Sequence, residues 1–457
     1  MSFVPLALAL ACVVAVGWAL IRPVTMDLSR PERFAWAGAT GLLALVTSSA
    51  ALMAFGLQPG PKKLAVVGAA LVVLSRMSWG VRSPAIELEA RESRTSLMFA
   101  AFLGVIAVCA VLLFAVEATR SPMWLTDHLM IWGLKARVIF GTSTIPARLF
   151  NDPALFWSHP EYPLMVPLTL SSLAAVTRSW DSRSLALIYP FLQALTILAV
   201  GGYLGRRMSW AAGATGGALL ALCANLYSVA NVGTADIPVA FGFVLLATGF
   251  LDVVNSPSRS GYARLALAAL FATSTKMEGA LFPLLLAATA LITGVPTGRQ
   301  RWRLLGCLLI PVAAHAGTMQ LFRGHVSARD VDWSLLSLHR LPEMGPRIQA
   351  VVRRLYDVEL RQAVVPLLCI IIVLLLTRRQ SADVLLWPIA LQILAYTAAC
   401  VLSAIDPTWQ LASAFSRLVV SLFPVTVLVI VGRLFAPRAR PSPVLRTDEN
   451  AMSGGLH

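Results

Sequence analysis

Long apolar runs separated by short polar connections make up most of this chain. A helix needs about 20 consecutive, mostly apolar residues to cross a bilayer. That rule predicts spans near residues 3–21, 34–57, 64–81, 96–116, 184–204, 209–230, 236–254, 263–277, 279–295, 302–322, 363–377, 383–404 and 415–435, about thirteen in all. The pattern predicts an all-α, polytopic transmembrane helix bundle. The first run, Ser2 to Ile21, has no basic stretch before it and reads as a retained span rather than a cleaved signal.

The connections carry an orientation signal. Arg206-Arg207, Arg259 with Arg264, Arg299 with Arg301 and Arg303, Arg378-Arg379, and Arg433 with Arg438 and Arg440 fall at every second connection. The alternate connections, 231–235, 276–278 and 405–414, hold few basic residues, Lys276 being the exception. Basic residues concentrate on the cytoplasmic side of a membrane, so the C-terminus is expected in the cytoplasm and the poor connections on the outer face. Counting backwards puts both ends of 117–183 on that outer face. The apolar piece from Tyr162 to Thr177, interrupted by Pro163 and Pro167, is then expected to lie at or dip into the outer interface. The amphipathic stretch from Trp124 to Phe140 is expected to form a second juxtamembrane helix.

The expected organisation is an N-terminal addition of three spans (1–95) before a core (96–322) that carries the outer loop 117–183. A second outer loop (323–362), C-terminal spans (363–436) and a disordered tail (437–457) follow.

Composition sharpens this picture. Of 457 residues, 58% are hydrophobic and 13% charged, and the mean hydropathy is +0.75; a soluble domain carries about 25% charged residues. The net charge of +15 would point to nucleic acid in a soluble protein. Here no basic face is interleaved with stacking aromatics, so no nucleic-acid partner is expected. Cys12, Cys109, Cys223, Cys307, Cys369 and Cys400 all lie in apolar runs without metal-ligand spacing. Of the histidines only His315 lies in a span, which argues against haem.

Charged residues at an apolar boundary are costly and mark function. The candidates all map to the predicted outer face: Asp127 and His128, with Lys135 further along the same stretch; His159, Glu161 and Tyr162 in Trp-Ser-His-Pro-Glu-Tyr-Pro; Asp236 in Gly-Thr-Ala-Asp-Ile-Pro; Lys276 and Glu278; and Asp406 with Arg417 around the last span. Each also has a structural reading. Asp127 and Asp236 are suited to helix capping, His159 to a loop, and Lys276 to snorkelling; Lys276 and Glu278, two apart, would not share a helix face. The arginines of 323–362 could form a solvated face. A carboxylate in a partly desolvated cleft can act as general base toward a hydroxyl, and Lys or Arg can stabilise a departing phosphate. Asp127 and Asp236 could instead hold a divalent cation, Mg or Mn; spacing does not decide between base and metal ligand.

The order of these features resembles the GT-C superfamily of polyprenyl-phosphate-sugar-dependent glycosyltransferases, in the branch of protein O-mannosyltransferases and the aminoarabinose transferase of lipid A. Asp127 in Trp-Leu-Thr-Asp-His stands where that family has an acidic residue near the start of its first outer loop, a loop that also carries two juxtamembrane helices. His159-Pro-Glu-Tyr-Pro is similar to its His-Pro-Pro-like run. Arg183, Arg206-Arg207 and Asp236 resemble its Arg…Arg…Asp-x-Pro progression, and Thr275-Lys276 before Gly279 its Thr-Lys-Gly segment. Ser413 to Leu418, containing Arg417, is similar to a terminal segment of bacterial members. The likeness covers residues 96–300 best; His128 stands where a second acid is frequent, and three extra spans precede the core.

The resemblance implies an inverting transfer of sugar from a polyprenyl-phosphate donor to a glycan, lipid or protein acceptor on the outer face of a bacterial plasma membrane. It further implies catalytic Asp127 and Asp236, with Asp127 as base. Lys276, Arg417 and Lys135 would then bind the donor phosphate, and His128, His159, Glu161, Tyr162 and Glu278 the substrate. The alternatives from the residues alone are a secondary transporter, with midplane sites and repeated halves that the sequence does not display, and a lipid-handling membrane protein.

Overall fold

The computed structural model describes residues 3–78, 93–322, 331–360, 377 and 380–435. Among these the protein is all-helical, with one isolated bridge between Val331 and Ser403. Helices α1 (Val4–Ile21) and α2 (Arg30–Ala54) form an N-terminal pair, followed by α3 (Pro61–Ser78) and α4 (Arg94–Arg120). The stretch to residue 187 holds α5 (Gly133–Thr142), the single turn α6 (Arg148–Asn151), α7 (Met165–Thr177) and the single turn α8 (Ser182–Leu185). Then come α9 (Ile188–Arg207), α10 (Trp210–Ala221), α11 (Asp236–Asn255), α12 (Arg259–Thr275), α13 (Met277–Thr293) and α14 (Gly298–Phe322). The remainder contributes α15 (Leu341–Arg354), α16 (Leu386–Val401), the helical segment Pro407–Val420 and α17 (Phe423–Leu434).

Among the described residues, seven helices are long and apolar enough to cross a membrane: Val4–Val24, Arg30–Ala54, Arg94–Arg120, Ser182–Arg207, Asp236–Asn255, Gly298–Gln320 and Ser381–Val401. Pro407–Val420 and α17, bent by 43° at their junction, make an eighth if counted as one broken span. Helix α4 shows what solvent this surface needs. Its Leu97, Met98, Phe102, Val105, Leu112 and Val116 are all exposed, an apolar face that water would not tolerate.

The expected thirteen crossings are not reproduced. Helix α3 carries Lys62, Lys63 and Arg76 within 18 residues. The run 209–230 stops being helical at Ala221, and α12 and α13 are 17 residues each, about 26 Å at 1.5 Å per residue. The predicted span 363–377 and the tail 437–457 lie outside the described residues. The apolar piece at 162–177 also differs from expectation. In α7 every residue from Met165 to Ala174 is buried, so this helix is packed inside the bundle and presents no amphipathic face to an interface.

Central to the bundle is α11, buried from Asp236 to Val253. Its two ends define two charged layers. Arg264, early in α12, meets Asp252 at one end of α11, while Lys276, just after α12, meets Asp236 at the other, so α11 and α12 are antiparallel. Sixteen residues separate Asp236 from Asp252, roughly 24 Å of helix. At the Asp252 end, Arg206 of α9 pairs with Glu32 of α2 at 2.7 Å and with Asp252 at 3.0 Å. Arg207 reaches Asp252 at 2.7 Å, and Arg264 reaches Asp27 at 2.7 Å. Three acids and three arginines balance here, and Glu32, Asp252 and Arg264 are buried. The N-terminal helices are therefore bound into the bundle rather than appended to it. Their contact is close because it lacks side chains: a Cβ on Gly17 would sit 1.8 Å from the Ala37 carbonyl oxygen, and one on Gly41 2.0 Å from that of Val13. Small residues are what let membrane helices approach this closely.

Candidate functional site

The Asp236 end of α11 gathers charged side chains from four separate segments. Asp236 is the first residue of α11, and its carboxylate is not used as a cap: Oδ1 accepts from Lys276 Nζ at 2.8 Å. Lys276 is the lone extended residue (φ −155°, ψ 159°) between α12 and α13. Because it is not helical, the spacing rule that separates residues two apart does not hold, and Lys276 Nζ also lies 3.3 Å from Glu278 Oε1. The tight reversal rests on Gly279, where a Cβ would come 1.9 Å from the Ala272 carbonyl oxygen. Lys276 is 8% exposed and ion-paired, so it does not snorkel.

Arg417 completes the chain of charges. Its Nη1 donates to Asp127 Oδ2 at 2.8 Å and lies 3.7 Å from Asp236 Oδ2. Asp127 makes no capping hydrogen bond; it precedes a π-helical turn, His128–Trp132, that runs straight into α5. Arg417 likewise follows a π-helical turn, Leu411–Phe415. Such turns recur at functional sites. Asp127 and Arg417 are each about one-third exposed and Asp236 is buried, so the chain of five runs from a part-exposed pair at Asp127 to the buried Asp236 and on through Lys276 to the part-exposed Glu278. Asp406 stands apart as a true helix cap, accepting from the backbone N–H groups of Thr408 and Trp409.

Three carboxylates face two cations in this line, and several of its polar atoms are unused. Asp236 Oδ2, Glu278 Oε2 and Arg417 Nε are buried without a hydrogen-bond partner among the described residues. Beside them on α16, the Tyr396 hydroxyl lies within hydrogen-bonding reach of the Gln392 and Ser421 side chains and in electrostatic reach of Glu278 and Asp236. Buried polar groups are normally paired, so such a concentration marks a place where a ligand or water belongs. Sequence reasoning missed Gln392 and Tyr396, which sit in an apolar run without any spacing signal.

A divalent cation shared by Asp127 and Asp236 would have to displace Arg417 from between them, and among the described residues no group of three or more His, Cys, Asp or Glu is placed to hold a metal ion.

Lys135, His159, Glu161 and Tyr162 form a second cluster, and no ion pair joins it to the first among the described residues. Lys135 is fully buried and donates from Nζ to the His159 carbonyl oxygen. Burial pushes its ammonium down to about 7, opposed by the nearby Glu161 carboxylate. Tyr162 stacks on Trp132 at 5.4 Å and on His159 at 4.5 Å, and His159 Nδ1 lies 3.4 Å from Glu161 Oε1. His128 is held by packing between two glycines. A Cβ on Gly133 would lie 2.3 Å from its Cε1, and one on Gly233 2.6 Å from its Cβ. Burial pushes its imidazole down to about 4, against a smaller opposing effect of the Gly233 backbone. His128 is therefore neutral near pH 7 and turned into the protein.

Of the arginines in the family-like progression, Arg183 is exposed, while Arg206 and Arg207 serve the opposite layer. In the 331–354 region two arginines are engaged: Arg340 pairs with Asp332 and Glu343, and Arg347 donates to the carbonyl oxygens of Val401, Ser403 and Ile405, while Arg353 and Arg354 lie on the exposed surface. Compared with protein-family models, with curated proteins and with solved structures, the chain matches none.

Proposed function

We propose that the line Asp127–Arg417–Asp236–Lys276–Glu278 is the reaction centre of a membrane glycosyltransferase. It would move a sugar, with inversion, from a polyprenyl-phosphate donor to an acceptor hydroxyl of a glycan, lipid or protein. The observation that carries this reading is Arg417, one guanidinium shared between a half-open carboxylate and a buried one. When a donor phosphate draws Arg417 toward itself, Asp127, about one-third exposed, is released where an acceptor hydroxyl can reach it. Asp127 then accepts the hydroxyl proton as the acceptor oxygen bonds to the anomeric carbon. The bond from that carbon to the phosphate oxygen breaks on the opposite side, and Arg417 with Lys276 takes up the charge growing on the leaving phosphate. Asp236 and Glu278 hold Lys276 in place. In this reading the site faces the outer side of a bacterial plasma membrane and the C-terminus is cytoplasmic. Helices α12 and α13 count as crossings although each is short, because α12 and its return run between the two charged layers.

The test is direct. Purified protein in lipid nanodiscs is incubated with a panel of radiolabelled polyprenyl-phosphate sugars and a membrane extract as acceptor. Label should leave the carrier with the wild type and stay on it with Asp127→Asn, which should still bind the donor. If no donor in the panel is consumed, the proposal fails.

A further inference from the structure

A cavity of about 230 Å3 lies away from the charged line, between the end of α2, the connection to α3, the last turn of α5 and the middle of α7. Its walls include Met53, Gln58, Phe140, Ser143, Ser171 and Ser172, and no charged side chain lines it. One wall is tied together from within: Ser172 donates to Ser49 of α2 at 2.7 Å, and Ser171 donates to the Leu168 carbonyl oxygen at 3.2 Å. The mouth is different. The Gln58 amide and the Ser143 hydroxyl are at least partly exposed, and neither makes a hydrogen bond within the described protein. Ser143 is held there in a left-handed conformation (φ 53°) that ends α5.

From these walls we infer that the cavity is a binding subsite for a neutral, hydroxyl-bearing ring, one sugar unit in size. A volume of about 230 Å3 is far more than the roughly 10–15 Å3 that a single bridging water needs. An acyl chain would ask for continuous apolar walls, and here an amide and three hydroxyls interrupt them. A charged ligand would find no counter-ion in the lining and would lose hydration uncompensated. A sugar ring fits both parts of the lining. Its hydroxyls both donate and accept, as the Gln58 amide and the serine hydroxyls require, and its C–H faces can lie on Phe140 and Met53. Twelve residues of mostly helical chain separate Asp127 from Ile139 on the cavity wall, on the order of 15–20 Å. The subsite is therefore too far from the charged line to hold the reacting group, and it stands or falls independently of the reaction proposed there.

Saturation-transfer NMR on the full chain in nanodiscs, with methyl β-glucopyranoside as probe and the corresponding uronic acid glycoside as charged control, tests this. The neutral probe should receive saturation from the wild type and from Asp127→Asn alike. The paired mouth variant Gln58→Ala/Ser143→Ala, which alters no buried residue, should cut the signal at least threefold. The charged control should give at most a tenth of the neutral signal. No transfer to the neutral probe, equal transfer with the mouth variant, or equal transfer to the charged control would overturn the inference. A phospholipid retained at Ser143, detected by photocrosslinking mass spectrometry, would overturn it as well. Loss of donor consumption with the glycoside signal intact would instead strike only at the reaction.

Discussion

Arg417 is shared between two acids of different exposure, and a guanidinium can do this because its planar fork presents several donors at once. An ammonium at that position is a point charge and can satisfy only one carboxylate well. Arg417→Lys should therefore lower donor consumption about tenfold, and Arg417→Ala at least a hundredfold, the scale on which positioned charge acts at a reacting phosphate. Initial rates at saturating donor are the measurement; equal rates for wild type and Arg417→Ala would remove Arg417 from the mechanism.

Lys135 supplies a pH test at the same scale. Its folded pKa, about 7, lies below the 10.5 of the free side chain. Between those values the unfolded chain holds a proton that the folded one does not, so stability rises with pH across that window. The melting temperature of the wild type should climb relative to Lys135→Met from pH 7 to pH 9, and a constant difference would refute the assignment. Single residues were unevenly legible in the sequence. Asp127, Asp236, Lys276, Glu278 and Arg417 stand out because charge is scarce near apolar runs. Which of them meet was hidden, since Arg417 lies 290 positions from Asp127 and nothing local records that contact.

Elements were legible where apolarity alone defines them and illegible where packing does. The long runs at α1, α2, α4, α9 and α11 are helices where the hydrophobic pattern puts them. Helix α7 is equally apolar, yet the parity of the crossings and its prolines suggested a place at or dipping into the outer interface, whereas α2 and α5 pack against it and bury it from Met165 to Ala174. The junction of α12 and α13 was misread for a more specific reason. The rule that residues two apart diverge presumes continuous helix, and one extended residue at Lys276 cancels it. That junction makes a sharp prediction. Gly279→Ala would push a methyl group into the Ala272 carbonyl oxygen, backbone that cannot yield without opening the hairpin. Overpacking of this kind costs about 1–3 kcal/mol. The variant should melt lower and lose activity together, because the same hairpin aims Lys276 at Asp236. A variant with wild-type melting and wild-type turnover would show that the reversal tolerates a side chain and is not what sets Lys276.

On the scale of the whole molecule, charge is sorted into two layers roughly 24 Å apart along α11, and the layers differ in kind. The Asp252 layer is balanced, with Asp27, Glu32 and Asp252 against Arg206, Arg207 and Arg264. The Asp236 layer carries one carboxylate too many and keeps unused polar atoms. A closed, satisfied network serves architecture, while an open one leaves capacity for a ligand. The sequence showed the arginines of the first layer as orientation signals but not their acids, because Glu32 and Asp252 look like ordinary helix-end residues until α2, α9 and α11 are brought together. Removing one member of a buried pair leaves an uncompensated charge and costs about 3–5 kcal/mol, so Arg206→Ala should lower the melting temperature sharply. Glu32→Ala should cost less, since Arg206 retains Asp252 at 3.0 Å. If the two residues act on each other as the geometry requires, the double variant will lose clearly less than the sum of the singles. Donor binding measured on the folded fraction should stay unchanged in Glu32→Ala, because that residue serves the opposite layer. Additive losses would mean that the N-terminal pair is held by its glycine contact with little help from charge, and impaired donor binding would mean that the two layers are coupled through α11.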